Sequence, residues 1–221
     1  MYDWDFNVVL QNKWVFVQGA WITLQVTFFT VGLGTVLGFL LGLGRSSKTR
    51  WIRFPISIYV ETFLAIPILV LLIWIYYCGP LIAKIQLSGF WAAVLALSLS
   101  LSAFVAEIVR SAIMAVPNGH IEAARAVGMS RFQTMRKIVL PQAIRIMIPP
   151  LLSMYIATLK MSSLASVIAV YELLHSAQSI IMTSFRPLEV YTTVALVYIA
   201  LVLPFSLLTR RFESTKKWRL S

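Results

Sequence analysis

The chain has 221 residues, of which 59% are hydrophobic and only 12% charged, and it carries a formal net charge of +11. A soluble domain holds about twice that share of charge and seldom more than half apolar residues, so the composition excludes a water-soluble globule. A single cysteine, Cys78, excludes an intrachain disulfide and a thiolate metal cluster.

The opening stretch Met1-Tyr2-Asp3-Trp4-Asp5 is acidic and lacks the basic start and apolar centre of a cleavable leader. A helix crosses the hydrocarbon core with about 20 apolar residues, and five segments meet that length: 20–43, 56–77, 90–114, 149–170 and 190–208. The first carries Gly34, Gly38 and Gly42 on one helical face, a ridge that admits close approach of another helix. Trp4, Trp14 and Trp21 lie near its start, where amphipathic rings favour the headgroup region. The third contains Glu107 and Arg110, and the fourth contains Lys160. Pro149 and Pro150 suit the first turn of the fourth helix, where a missing N–H costs little.

Five spans put the termini on opposite sides, and the basic residues predict which side is which. Segments 44–55, 115–145 and 209–221 hold Arg45, Lys48, Arg50, Arg53, Arg125, Arg131, Arg136, Lys137, Arg145, Arg210, Arg211, Lys216, Lys217 and Arg219. The other side holds Lys13, Lys84 and Arg186. The positive-inside rule then predicts the N-terminus outside and the C-terminus in the cytoplasm. The positive charge is topological, and nucleic acid has no part in the reading.

The segment between the third and fourth spans is the longest cytoplasmic one. Ile121-Glu122-Ala123-Ala124-Arg125-Ala126-Val127 is made mostly of helix formers. Gly128 supplies a turn that residues with a Cβ resist. Ser130-x-x-Gln133 has capping-box spacing, which predicts a second short helix through Ile138, with Pro141 as its breaker. Residues 121–141 thus read as a helix, a glycine turn and a helix, a hairpin able to dock on a partner.

Glu122-Ala123-Ala124, Gly128 and Ile138-Val139-Leu140-Pro141 together resemble the EAA signature of bacterial ABC-importer permeases. The wider chain is similar to the polar amino acid permease branch of that family, through Glu61-Thr-Phe-Leu-Ala-Ile-Pro67, Ala106-Glu107-Ile-Val-Arg110, Leu159-Lys160-Met-Ser-Ser163-Leu164 and Glu172-Leu173. The resemblance implies an all-α, multi-pass subunit of five transmembrane helices in the bacterial cytoplasmic (inner) membrane, forming a single permease domain over 1–221. It implies that Glu122, Ala123, Ala124, Gly128, Ile138, Leu140 and Pro141 form the contact with an ATP-hydrolysing subunit. It also implies two such ATP-binding partners, a second permease subunit of the same or a related kind, and a solute-binding protein that delivers an amino acid. Leu64 and Met161 stand where many members carry arginine and aspartate, and the second departure argues against a cationic side chain in the substrate.

Ionisable groups at bilayer depth mark a pathway or an internal pair. Ser100, Ala103 and Glu107 share one helical face, and Ser153, Lys160 and Ser163 share another. Lys160 and Glu107 would complement the carboxylate and ammonium of a zwitterionic amino acid, with Ser163 and Ser100 beside them. The alternative is that Glu107 pairs with Lys160 or Arg110 as a structural neutralisation. Glu61, near the inner end of its span, reads as structural as well as a pathway candidate.

Gly42-x-x-x-x-Ser47-Lys48-Thr49 lacks the second glycine of a phosphate-binding loop and ends a membrane helix instead of following a strand. ATP is therefore expected on a partner chain, and no cofactor or metal is expected in this one. His120 and His175 fall on opposite sides as solvated loop residues, and no His-Glu-x-x-His or Gly-x-Ser-x-Gly occurs, so no catalytic residues are expected. A passive channel, or an importer of another small solute, is the competing reading.

Overall fold

The structure, a computed structural model, describes residues 2–47 and 49–214. The basic residues Lys48, Lys216, Lys217 and Arg219 lie outside the described residues. Among the described residues the regular structure is entirely helical. Four helical stretches, Lys13–Arg45, Gly89–Met114, Arg131–Ile168 and Pro187–Leu207, are long and apolar enough to cross a membrane, and a fifth candidate is a bent pair, Arg50–Ala65 with Ile68–Ile82.

A short helix α1 (Asn7–Gln11) precedes α2 (Lys13–Arg45), which is longer at both ends than the apolar count predicts. Helix α3 (Arg50–Ala65) follows, and the expected second span is broken here. Ile66 and Pro67 adopt extended backbone (ψ 124° and 130°) before α4 (Ile68–Ile73) resumes. The cause is local: proline's Cδ pushes the preceding residue out of the α region. A wide π turn (Trp74–Cys78), which holds the half-buried Cys78, leads into α5 (Gly79–Ala83). Helix α6 (Gly89–Met114) is 72% buried over its apolar window, against 11% for the last span, so it is the core helix.

After α6 come α7 (Asn118–Ala126), α8 (Arg131–Thr134), a second π turn (Met135–Val139) and α9 (Leu140–Met161). Two expectations are corrected here. Pro141 does not break the helix, and Pro149 and Pro150 lie inside α9 instead of opening it. In an α-helix Pro141 would clash with the carbonyl four residues back. The π turn sends the Leu140 N–H to the Met135 carbonyl, a five-residue step that widens the backbone just ahead of the ring. The first π turn makes the same step, Gly79 N–H to Trp74, just ahead of Pro80. A 3₁₀ segment (Ser162–Ile168) ends at Ala169 with φ 55°, and α10 (Leu173–Ser184) and α11 (Pro187–Ser214) complete the chain.

The chain forms two compact units. Among the described residues, one unit contains those through Gly32, Pro67–Ser98, and those from Tyr155 onward. One apolar cluster there joins Phe16 to Leu173, Ala177, Ile180, Val190 and Val194. Glu172, fully buried, caps α10 through the His175 N–H (2.8 Å) and accepts hydrogen bonds from Thr23 (3.4 Å) and Tyr198 (3.1 Å). Burial pushes its carboxyl above the usual carboxylate range, the hydrogen bonds opposing the shift. His175, expected in a solvated loop, lies in the first turn of α10, half-buried and edge-on to Tyr171.

At the head of α11 the equally buried Glu189 accepts hydrogen bonds from the Tyr2 hydroxyl (2.6 Å) and the Asp5 N–H (3.0 Å). Arg186 donates to the Asp3 carbonyl at 2.6 Å. This clasp holds residues 2–5, and the stacked rings of Trp4 and the adjoining Phe6 stand exposed.

The other unit contains Leu33–Ile66 and Leu99–Met154. Here the glycine ridge meets α6 closely. A Cβ on Gly38 would lie 2.5 Å from the Val105 Cβ and 2.6 Å from the Ser102 carbonyl, and one on Gly42 would lie 2.5 Å from the Val109 Cβ. Val60, Ala103 and Ala106 form a second contact layer with Leu41, Ile56, Tyr59, Phe63 and Leu64.

Candidate functional site: a hairpin and an ion relay in one unit

The hairpin follows from backbone requirements that its sequence meets in turn. Pro117, extended at ψ 133°, launches α7, and Val127 closes it by donating to the Ala123 carbonyl. Gly128 has φ +80°, the one positive-φ glycine among the described residues. No neighbour crowds it, so backbone conformation alone demands glycine there. Ser130 and Gln133 form the capping box, Gln133 N–H to Ser130 Oγ at 3.3 Å and Ser130 N–H to Gln133 Oε1 at 2.9 Å.

Helix α7 packs on α8 and on the π turn. Ala124, Thr134 and Val139 are the buried residues of those three elements. His120 Nδ1 meets Gln142 Oε1 at 2.8 Å and ties α7 to α9. Of the residues that carry the EAA resemblance, Glu122, Ala123, Gly128 and Pro141 are exposed, Ile138 and Leu140 half-buried, and Ala124 buried. Their neighbours Val127 and Phe132 are 78% and 72% exposed. The hairpin therefore combines a fixed interior with two exposed apolar side chains set among charged ones such as Glu122, Arg125 and Arg131, the form of a docking element.

The membrane charges divide between the two units. Ser100, buried, and Glu107 belong to the unit that holds the hairpin. Glu107 accepts hydrogen bonds from Arg45 Nη1 (2.7 Å) and Arg110 Nε (3.1 Å), and Arg110 Nη2 reaches its second oxygen. Arg45 Nη2 also reaches Glu61 Oε1 at 3.1 Å. Of the two pairings considered for Glu107, the geometry is that with Arg110. By sequence alone Arg45 is a topological charge. The signal available was an arginine at the inner end of one span with acids, Glu61 and Glu107, at the same depth of two others.

Lys160 and Ser163 belong to the other unit. Lys160 is exposed in the last turn of α9, and the Ser163 hydroxyl donates to its backbone carbonyl at 2.8 Å. No group of three or more His, Cys, Asp or Glu arranged to hold a metal occurs among the described residues.

A multi-pass helical bundle with a rigid polar hairpin between two spans is the architecture of a transport permease, and the comparisons agree. Residues 34–217 match the family of binding-protein-dependent transport system inner membrane components, and the chain belongs to that family. It is 38% identical over 200 residues to the probable amino-acid ABC transporter permease protein YckA of Bacillus subtilis, covering 90% of this chain and 88% of that one. It is 35% identical to the glutamine transport system permease protein GlnP of Escherichia coli, over 97% of this chain and 99% of that one. A crystal structure of an amino acid ABC transporter with histidines superposes with a TM-score of 0.90 at 34% identity, covering 97% of this chain and all of the matched one. The chain is thus an ABC transporter permease subunit, and its family implies partner chains that supply ATPase and solute-binding functions.

Proposed function

We propose that the chain carries a polar amino acid inward across the bacterial cytoplasmic membrane, driven by two ATP-binding subunits. It pairs with a second copy of itself or a sibling permease, and a solute-binding protein delivers substrate at the outer face. The observation that carries this reading is the hairpin. Glu122, Ala123, Val127 and Phe132 stand exposed on a turn held by Gly128, the capping box and the His120–Gln142 bond. Such an element transmits a push from an ATPase, because a stiff lever with two positions is what a nucleotide can bias. ATP binds the partner, with no cofactor in this chain. Relatives named for amino acids support the substrate class, and Lys160 with Ser163 is the pair proposed to meet the substrate's carboxylate.

Five crossings with the N-terminus outside and the C-terminus inside fit the clasp as well as the charges. Tyr2, before the first span, bonds to Glu189 at the start of the last, so both lie on one side of the bilayer. An even number of crossings must separate them. The three unbroken spans before α11 are odd in number, and the bent pair Arg50–Ala65 with Ile68–Ile82, taken as one crossing, makes four.

The test is reconstitution. The chain, purified with its ATPase and presented with a loaded binding protein in lipid vesicles, is expected to accumulate amino acid only when ATP is hydrolysed. Equal uptake without nucleotide would mean a passive channel and would end the proposal.

A further inference from the structure

Glu61, Arg45, Glu107 and Arg110 form an alternating chain of charges across the α3, α2 and α6 helices. Arg45 is its hub. One guanidinium nitrogen meets Glu107 on α6 at 2.7 Å and another meets Glu61 on α3 at 3.1 Å, while its own backbone ends α2. Its side chain is only 13% exposed, against 69% for Glu61. A planar fork with several fixed donors can serve two carboxylates at once, which a lysine's point charge cannot do with the same geometry. The Glu61 arm is exposed on the outside of the chain, so it adds less to stability than the Glu107 arm. What it fixes is direction.

The setting gives that direction a use. Helix α6 passes through residues 115–117 into α7, so the relay and the hairpin lie on one continuous arm within one compact unit. Glu61 sits at the other end of the relay, just ahead of the Ile66–Pro67 break in the bent span. Between α2 and α6 the glycine ridge gives close apolar packing. Between α3 and α6 the Tyr59 hydroxyl meets Ser102 Oγ at 2.8 Å, and Arg45 adds a second tie at defined atoms nearer the end of α6 that leads to the hairpin.

We propose that Arg45 is a positioning residue for transport, holding α3 to α6 so that motion of the hairpin reaches the break in the bent span. The inference rests on the proposed function. In the reconstituted complex, Arg45→Gln leaves assembly with the ATPase intact, and uptake per ATP hydrolysed falls fivefold or more, in the range of ordinary coupling free energies. Arg45→Lys keeps the charge and the nearer bond to Glu107 and gives an intermediate ratio. Should Arg45→Gln fail to accumulate, Arg45→Lys carries the same test.

The readout is a ratio measured on assembled complexes, so a residue important only for folding lowers the yield and leaves the ratio alone. An unchanged ratio in Arg45→Gln, or in Arg45→Lys where only that variant accumulates, would overturn the role of Arg45 and leave the transport reading standing. A wild-type complex that moves amino acid without ATP would remove the transport reading itself, and the positioning role with it.

Discussion

Gly128 is the residue on which the hairpin's backbone depends most directly. With φ at +80° and open space where a Cβ would point, its identity is set by conformation and not by packing. A β-branched residue in the left-handed region costs about 1–2 kcal/mol. That is enough to shift the turn without unfolding helices embedded in lipid. Gly128→Val is expected to insert and bind substrate normally while ATP hydrolysis ceases to respond to loaded binding protein, measured as the stimulated-to-basal ATPase ratio. Lys160 offers a different residue-scale test. If its ammonium meets the substrate carboxylate, Lys160→Met removes a charged hydrogen bond of about 1.5–3 kcal/mol. Half-saturation for uptake should then rise tenfold or more, and an unchanged uptake curve would exclude the contact.

Glu172 adds a pH dependence whose sign is fixed by its burial. Its folded-state pKa lies above the ordinary value because burial disfavours the carboxylate. Its contribution to stability is therefore fully present below the ordinary carboxylate range and is lost as pH rises through the raised value. Thermal unfolding of the purified chain should show Tm falling across that interval. Glu172→Gln, which keeps an oxygen to cap α10 and cannot ionise, should flatten the slope.

Among the elements, α2 and α6 show how short residues set the spacing of the bundle. The ridge Gly34-Gly38-Gly42 was legible as a period of four, and the structure adds what it meets: Leu101, Ser102, Val105 and Val109. Gly38→Leu would drive a side chain into the Val105 and Ser102 atoms, and overpacking of that kind costs about 1–3 kcal/mol. It should lower Tm and yield of the purified chain, while Gly32→Leu, at an open position of the same helix, should not.

The misjudged boundaries have physical causes too. Ile66-Pro67 was read through because hydropathy is blind to backbone, although a residue before proline resists helix. Pro141, Pro149 and Pro150 were read as ends because an isolated helix would stop there. Here the π turn ahead of Pro141 opens the backbone, and helices in a bilayer retain their backbone bonds where water would replace them. Helix α10 was missed because its dozen residues are too few to span and its cap, Glu172, is a residue commoner inside helices than at their starts. The hairpin's turn was legible, since turn glycine and capping box are local rules, but its second arm runs past Pro141 into α9 where the sequence predicts an end. The relay was not, because Arg45 and Glu107 are 62 residues apart and only the fold makes them neighbours.

For the whole molecule, the topology is open to direct labelling. With Cys78 replaced by serine, a cysteine at position 132 should react with an impermeant thiol reagent only from the cytoplasmic face of oriented vesicles. One at position 4 should react only from the outer face. The reverse pattern would place the hairpin where no ATPase could reach it.

The clasp between Tyr2 and Glu189 also orders events in time. The partner of the second residue is made 187 positions later, and at the usual ribosomal pace of roughly 5–20 residues per second the wait lasts on the order of ten to forty seconds. Through that interval the leading segment, with Tyr2, Trp4 and Phe6, has no fixed seat. Its locking is a closing act of biogenesis, available only once the last helix has threaded into the bilayer. A chain that stalls before Glu189 is made would carry that segment unlatched.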